Sequence, residues 1–501
     1  MVALFDNLRK IDSFGGIDAS NDEILLGAFE DHEAYKQAIK LARPLIIGRK
    51  GSGKSAIYKK VTSDANCDTR SLGFTFSDYP WEHHGKQKQS GVPDEECYRE
   101  SWKYFICLML CQIVLRHKQD VSQETSAQQA LADIERFVID SYGSPNPSLT
   151  RVFMPGQQIR LSGGISLFGA KGEARTIDIE ALPTFYSEVN RNVMDCIFRC
   201  LPQAKRFYIC FDELDIGFDP SNIDYAQRLV GLIRAAKFTN ESFKKQNIVG
   251  GVILLLRDDI WHTLRFEDKN KLTQDQVAEL RWSIEDGPHC IKSLMERRFK
   301  ELLGGGASWE VLFNEQRQMA SFQSKYRFIC ERSFLRPRDV IQYCNEVLSV
   351  YKARMDFSSF DNEIVREAEE PYSRYFMQEL EDELHKHSSS YEKYFEVLKG
   401  LSNVNFSREE FETVWHERRG LFDDQQTPDK ALAALFEFSV IGYLATGGRG
   451  AGSKYAWRYL EPRVRFNSDA KSYKVHLGLK SEFDLKLYAR RKKSDPLAKA
   501  S

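Results

Sequence analysis

Apolar residues along this chain fall into short continuous runs and longer mixed stretches, and the two kinds predict different elements. Leu45-Ile-Ile47, Phe207–Phe211 and Ile248–Leu256 are runs bounded by polar residues or glycine. Their apolar character on both faces predicts strands of a parallel sheet covered on each side. Ser71–Phe76 reads as a further strand. Helical patterns fill the intervals: Asp31–Leu41 ahead of the first strand and beside the loop that follows it, then a segment opening near Lys54, Ala127–Ser141, Tyr186–Leu201 and Tyr225–Lys237. Between Tyr98 and His117 the reading WKYFICLMLCQIVL is apolar nearly all round, which predicts a buried helix rather than a membrane span. Strands alternating with helices predict an α/β fold with a parallel sheet whose site lies at the strands' carboxyl ends.

Beyond about Leu264 the pattern becomes mainly helical, with helices expected over Cys290–Leu303 and Val340–Val350. From Tyr391 the order changes again. A helix over Tyr391–Leu401 is followed by Ser407-Arg-Glu-Glu410, a capping box opening a second. Thr427-Pro428 opens a third, expected to run to Leu444. A glycine-rich turn at Gly447–Ser453 then joins strand-like Tyr455–Leu460 and Tyr473–Leu477. This order predicts a winged helix. The expected organisation is a core over 1–263 with a helical and hairpin insertion at about 85–180, a helical lid and connector over 264–388, and a winged-helix-like domain with a basic tail over 389–501.

The length of 501 residues fits roughly three domains. A net charge of −1 leaves no global attraction to nucleic acid, so any such binding needs a local patch. The chain has one: from Arg449 to Ser501 fourteen Lys and Arg stand against five Asp and Glu, a local charge of +9. Arg449, Lys454 and the tail Arg490–Lys493 are the candidate DNA contacts, with a protein partner or plain solvation as the other readings. The first residues lack the basic and apolar regions of a signal peptide, no run approaches a membrane span, and the ten cysteines form no C-x-x-C pair. A cytoplasmic protein with buried reduced thiols and no membrane contact is expected. Adjacent His83 and His84 do not share a face and have no third ligand nearby, which argues against a metal site there.

The chemistry concentrates at Gly48-Arg-Lys-Gly-Ser-Gly-Lys-Ser55, which fills the phosphate-loop pattern G-x-x-x-x-G-K-[ST] at every fixed position between a strand and a helix. Gly51 and Gly53 let successive N–H groups turn inward. Lys54 is placed to reach β- and γ-phosphates, and the Ser55 hydroxyl to ligate Mg²⁺. Gly48, Arg49, Lys50, Gly51, Ser52, Gly53, Lys54, Ser55 and Ala56 are therefore the expected ATP-binding residues. The run RFYICFDELD ends in Asp212-Glu213, the Walker B pattern: Asp212 for the metal, Glu213 to orient and deprotonate a water. Arg257, at the end of the Ile248–Leu256 strand, lands either at the γ-phosphate or in a salt bridge to Asp258, Asp259 or Asp215. Arg336 and Arg338, near a helix start, either reach the nucleotide from a lid or pair with Asp339 or Glu331. RLSGGIS at 160–166 looks like the signature of ABC-type ATPases, but that signature opens a helix shortly before the second carboxylate motif, whereas here it lies about fifty residues upstream of it. The ISLFGAKGEARTIDI that follows reads instead as a β-hairpin joined at a glycine turn.

Taken together, the phosphate loop, DELD at 212–215, the strand ending in Arg257, Arg336 and Arg338, and the terminal winged helix resemble the AAA+/STAND branch of P-loop ATPases. Within it the chain is similar to stand-alone bacterial ATPases of mobile or phage-defence loci, and its domain order is also that of archaeal origin-recognition proteins. The resemblance implies an ATPase with Glu213, Lys54 and Arg257 at the reaction centre. It would work as a nucleotide-driven, homo-oligomeric switch on an effector partner in anti-phage defence. The rival implication is an ATP-gated DNA-binding protein of the origin-recognition or transposition kind.

Overall fold

The computed structural model describes residues 2–63, 67–75, 94–145, 147, 158–161, 165, 175–178, 182–216, 223–287, 289–354, 358–385, 390–445 and 453–487. These divide into two compact units, 25–281 and 1–24 with 282–501.

The first unit is α/β. Strands β1 (Leu45–Gly48), β2 (Thr69–Thr75), β5 (Arg206–Asp212), β6 (Val249–Arg257) and β7 (Val277–Glu279) form one sheet in the order β2-β5-β6-β1-β7. Every neighbouring pair is parallel. Alternate residues of the apolar runs serve opposite faces. Ile46, Tyr208, Cys210, Ile253 and Leu255 pack beneath the helices Glu33–Ile39 and Lys54–Thr62. Leu45, Phe207, Ile209, Phe211, Val252 and Leu254 join the larger core on the other face. That core holds the helices Asp94–Arg116, Thr125–Tyr142, Leu182–Cys200 and Ile223–Lys245. The expected insertion is thus part of the main core. Its first helix approaches Ile223–Lys245 closely at Gly231, where an added Cβ would lie 2.7 Å from the Cβ of Tyr98.

Two expectations shift here. The sheet does not end with β6: the three-residue strand β7 pairs with the outer side of β1, so this unit reaches Arg281 rather than 263. His32 fixes that end, its Nε2 2.9 Å from the Arg281 carbonyl. The antiparallel ladder around the LSGGIS stretch pairs β3 (Gln158–Leu161) with β4 (Arg175–Asp178). Its first strand therefore precedes the glycines instead of following them. Residues 162–164 and 166–174 lie outside the described residues, as do His83 and His84.

The second unit is mainly helical and has one continuous apolar core from Leu8 to Leu485. The N-terminal segment belongs here. Asn345 accepts from Phe14 N at 2.8 Å and donates to Gly15 O at 3.1 Å, and Arg298 forms a buried pair with Asp22 at 2.6 Å. The chain's start is therefore held by the C-terminal unit, not by the sheet it precedes. The expected lid and terminal domain also share this core: Ser373, on the helix Glu369–Leu384, donates to Gly478 O at 2.7 Å.

The terminal module has helices Tyr391–Lys399, Arg408–Glu417 and Pro428–Glu437 with a four-stranded antiparallel sheet. Its strands are β8 (Asn405–Ser407), β9 (Ile441–Ala445), β10 (Lys454–Ala456) and β11 (Ser472–Val475), in the order β10-β9-β11-β8. The capping box forms as read, Ser407 and Glu410 each bonding the other's backbone. The third helix is shorter than its apolar run. It stops at Glu437, Ser439 turns the chain with a φ of 61°, and the rest of the run becomes β9. Val440 and Ile441, β-branched and buried, favour that strand. Arg449 and the tail Arg490–Lys493 lie outside the described residues.

Candidate functional site

At the carboxyl end of β1 the chain turns through Arg49–Gly53 into the helix Lys54–Thr62. Gly51 and Gly53 have φ values of 77° and 101°, a region that strains any side chain, so the loop depends on glycine at both positions. Gly53 is the helix N-cap and supplies no side-chain cap. Lys54 folds back under the loop, its Nζ donating to Gly48 O at 2.9 Å and Arg49 O at 3.0 Å. The residue keeps some surface, yet its ammonium is enclosed enough that burial lowers its pKa. Asp212, Asp215 and Asp258 oppose that shift, and Arg257 adds to it.

Asp212 ends β5, in register with Thr75 of β2, and is buried. The Ser55 hydroxyl and the backbone N–H of Glu213 lie close enough to its carboxylate to favour the charged form. Burial raises the Asp212 pKa; these groups and the charge of Lys54 work against the rise without cancelling it. A hydroxyl and a carboxylate held together beside an enclosed ammonium form a hard-oxygen donor pair of the kind Mg²⁺ accepts, so the residues present fit that ion. The loop's backbone and its helix N-terminus likewise fit a phosphate chain.

Glu213 is exposed and has a φ of 56°, an uncommon conformation for a residue with a Cβ. The turn beyond it is tied down: Ile216 N donates to Glu213 O at 3.2 Å, and the Tyr225 hydroxyl donates to Leu214 O. Arg257 stands beside Gly48 in the β1–β6 register. Its guanidinium is held by Asp259 through two bonds of 3.0 and 2.6 Å and by Asp215 at 3.1 Å. Of the two readings open for this arginine, the structure displays the ion pairs. The loop, Ser55, Asp212, Glu213 and Arg257 all gather at one end of the sheet.

Arg336 and Arg338 belong to the other unit, and their expected reach to a nucleotide is not what they display. Arg336 is buried, bonding Asp339 at 2.9 Å and Glu383 at 2.5 Å. Burial alone would lower its pKa, but the two carboxylates outweigh that and raise it. Arg338 pairs with Glu379 at 3.0 Å and donates to Ile17 O. Asp339 is the partner anticipated for Arg336; Glu379 and Glu383 come from a helix some forty residues downstream and left no local signal.

Three further groups belong with the site. Asp259 and Asp215, both among the partners the sequence offered, fix Arg257. Tyr58, one helical turn after Lys54, has its phenol pKa raised by burial, with Cys210, Asp212 and Glu213 adding to the rise. Among the described residues no group of three or more His, Cys, Asp or Glu side chains could hold a metal by itself. Of the described cysteines only Cys67 is exposed, and none is bridged. No helix among the described residues is long and apolar enough to cross a membrane.

Comparison with known proteins finds two similarities. Residues 289–381 match the model of the FunZ-associated C-terminal helical domain, which places the match on the helical part of the second unit. The chain is 22% identical over 283 residues to the putative transposon gamma-delta 80.3 kDa protein of Escherichia coli (strain K12). That alignment takes in 54% of this chain and 38% of the relative, so the chain spans well under half the relative's length.

Proposed function

We propose that the chain is a P-loop ATPase of the AAA+/STAND type that binds ATP with Mg²⁺ at residues 48–56 and hydrolyses it. The observation that carries this reading is the meeting of Ser55 and Asp212 beside the enclosed Lys54 ammonium. It joins the two halves of the sequence motif although more than 150 residues separate them. When bound, Mg²⁺ supplies charge neutralisation between the β- and γ-phosphates. Ser55 and Asp212 would hold it. The loop N–H groups and Lys54 would orient and neutralise the phosphates, and Glu213 would take the proton of the attacking water. Arg257, braced by Asp215 and Asp259, is a positioning group whose ion pairs would respond to charge at the loop.

In this proposal ATP turnover acts as a switch on an effector partner, in a homo-oligomer and within anti-phage defence. A second reading is an ATP-gated DNA-binding protein; the name of the transposon gamma-delta relative supports only its mobile-element setting. The winged-helix-like order of the terminal module suits either. Calorimetric titration of Mg-ATP into wild type and Lys54→Ala tests the shared step. Binding by wild type and its loss in a folded Lys54→Ala protein is expected; equal binding by both would remove the ATPase proposal. Partner capture with and without ATP, against DNA binding under the same conditions, separates the two settings.

A further inference from the structure

The second unit contains a cavity of about 690 Å³ whose chemistry is unrelated to the loop at residues 48–56. One wall comes from residues 320–369, inside the span that matches the FunZ-associated helical domain. The other comes from the terminal module, with Val404, Asn405, Lys474 and Leu477. The lining is cationic: Arg327, Arg332, Arg366, Lys474 and Lys480 against Glu331 and Glu369. Both carboxylates are already engaged. Glu369 is held by Arg332 and Lys480, each at 3.0 Å, and Glu331 by Arg327 at 2.9 Å and Gln323 at 2.8 Å. Arg366 is exposed and has no carboxylate partner among the described residues. Among the lining side chains the cations outnumber the carboxylates, so the cavity wall is net positive.

Phe322 stands at the edge of this cavity. It is 89% exposed, and its φ of 57° adds backbone strain to the cost of exposing an aromatic ring. A protein has no stability reason to keep both. Cations lining a groove with an aromatic face presented beside it are what a single strand of nucleic acid uses: phosphates among the charges, a base stacked on the ring. An enclosed small ligand would be buried over most of its surface. Phe322 lines the cavity yet is 89% exposed, so a base stacked on it would stay open to solvent, as a base of a continuous strand can.

We propose that this cavity and Phe322 form a binding site for single-stranded nucleic acid. It is argued from residues other than the basic tail and is independent of the ATP proposal. The test is fluorescence anisotropy of labelled oligo(dT) and oligo(rU) of about 20 nucleotides with the full chain at low salt and without ATP. Wild type is expected to bind at least one. Phe322→Ala should weaken binding roughly tenfold, and Phe322→Trp should preserve it. Arg366→Glu should weaken it and lower the slope of affinity against salt by about one phosphate contact. Thermal melting of each variant checks that the fold is intact; both residues are exposed, so no loss is expected. Absence of binding by wild type would overturn the proposal. So would equal affinity in all variants, or loss only on replacing Arg490, Arg491, Lys492 and Lys493. Tighter binding of a duplex of the same length would overturn base stacking. Displacement by thymidine monophosphate at equal nucleotide concentration would assign the cavity to a mononucleotide, and displacement by polyglutamate to an acidic protein segment.

Discussion

The Ser55 hydroxyl lies beside the Asp212 carboxylate and favours its charged form, bringing the first turn of the helix after β1 to the end of β5. In the sheet β6 lies between those two strands. The approach therefore spans the mouth of the site, where the two motif halves meet.

Asp212 ionises against its own burial, and this has a measurable sign. Its folded pKa lies above the ordinary 3.8, so between those two values the folded chain holds more protons than the unfolded one. Stability consequently falls as pH rises through that window, and at neutral pH the buried charge is carried at a cost. Asp212→Asn keeps an acceptor for Ser55 and removes the charge. In metal-free protein at neutral pH its melting temperature should exceed that of wild type, by about 2–4 °C for each kcal/mol relieved. The gap should close as pH is lowered through the raised pKa. Under the ATPase proposal, Mg-ATP would stabilise wild type but not this variant. A metal-free variant that melts below wild type at neutral pH would show that the carboxylate charge is stabilising and the burial argument wrong.

The sheet was legible in the sequence because its central strands are short unbroken apolar runs. Only a strand with both faces covered can use Ile46 on one side and Leu45 and Ile47 on the other. The loop was legible because glycine at 51 and 53 answers a backbone requirement that the φ values display. What the sequence concealed was of two kinds. β7 has three residues and no alternation to detect, and its place beside β1 is decided by long-range pairing. The bond from Phe14 N to Asn345 and the pair Arg336–Glu383 likewise depend on residues far apart in the chain. The split of the 428–444 run into helix and strand turns on Ser439, which tolerates a left-handed backbone without the glycine that would have marked it.

Arg336 offers a test of the long-range kind. Its guanidinium neutralises Asp339, which is fully buried and also accepts from Phe334 N at 2.9 Å. Arg336→Ala leaves that carboxylate without its cation, a loss of about 3–5 kcal/mol for a buried pair. Urea unfolding followed by tryptophan fluorescence should show the second unit destabilised by that order. Calorimetry on the folded protein should show no change in Mg-ATP affinity. Unchanged stability with weakened nucleotide binding would reverse the assignment and return Arg336 to the nucleotide.

Glu213 combines a chemical role in the ATPase proposal with a strained backbone, and the two can be separated by choice of substitution. At a φ of 56° a residue with a Cβ is disfavoured relative to glycine by about 1 kcal/mol. Glu213→Gly and Glu213→Ala both delete the carboxylate, but only glycine relieves the backbone, so Gly should be the more stable by about that amount. Glu213→Gln keeps shape and hydrogen bonding without the base. All three should bind ATP about as well as wild type and hydrolyse it about 10²–10⁴-fold more slowly, as expected when a general base is removed. Under the switch reading they would accumulate one fixed partner state. The measurements are urea unfolding for the Gly and Ala pair, and ATP turnover beside partner capture for all variants. Equal stability of Gly and Ala would show that the left-handed turn carries no strain. Wild-type turnover in Glu213→Gln would move the base elsewhere. Asp215, two positions on, is the next candidate, but Arg257 holds it at 3.1 Å, so that alternative predicts that Arg257→Ala would alter the pH dependence of turnover.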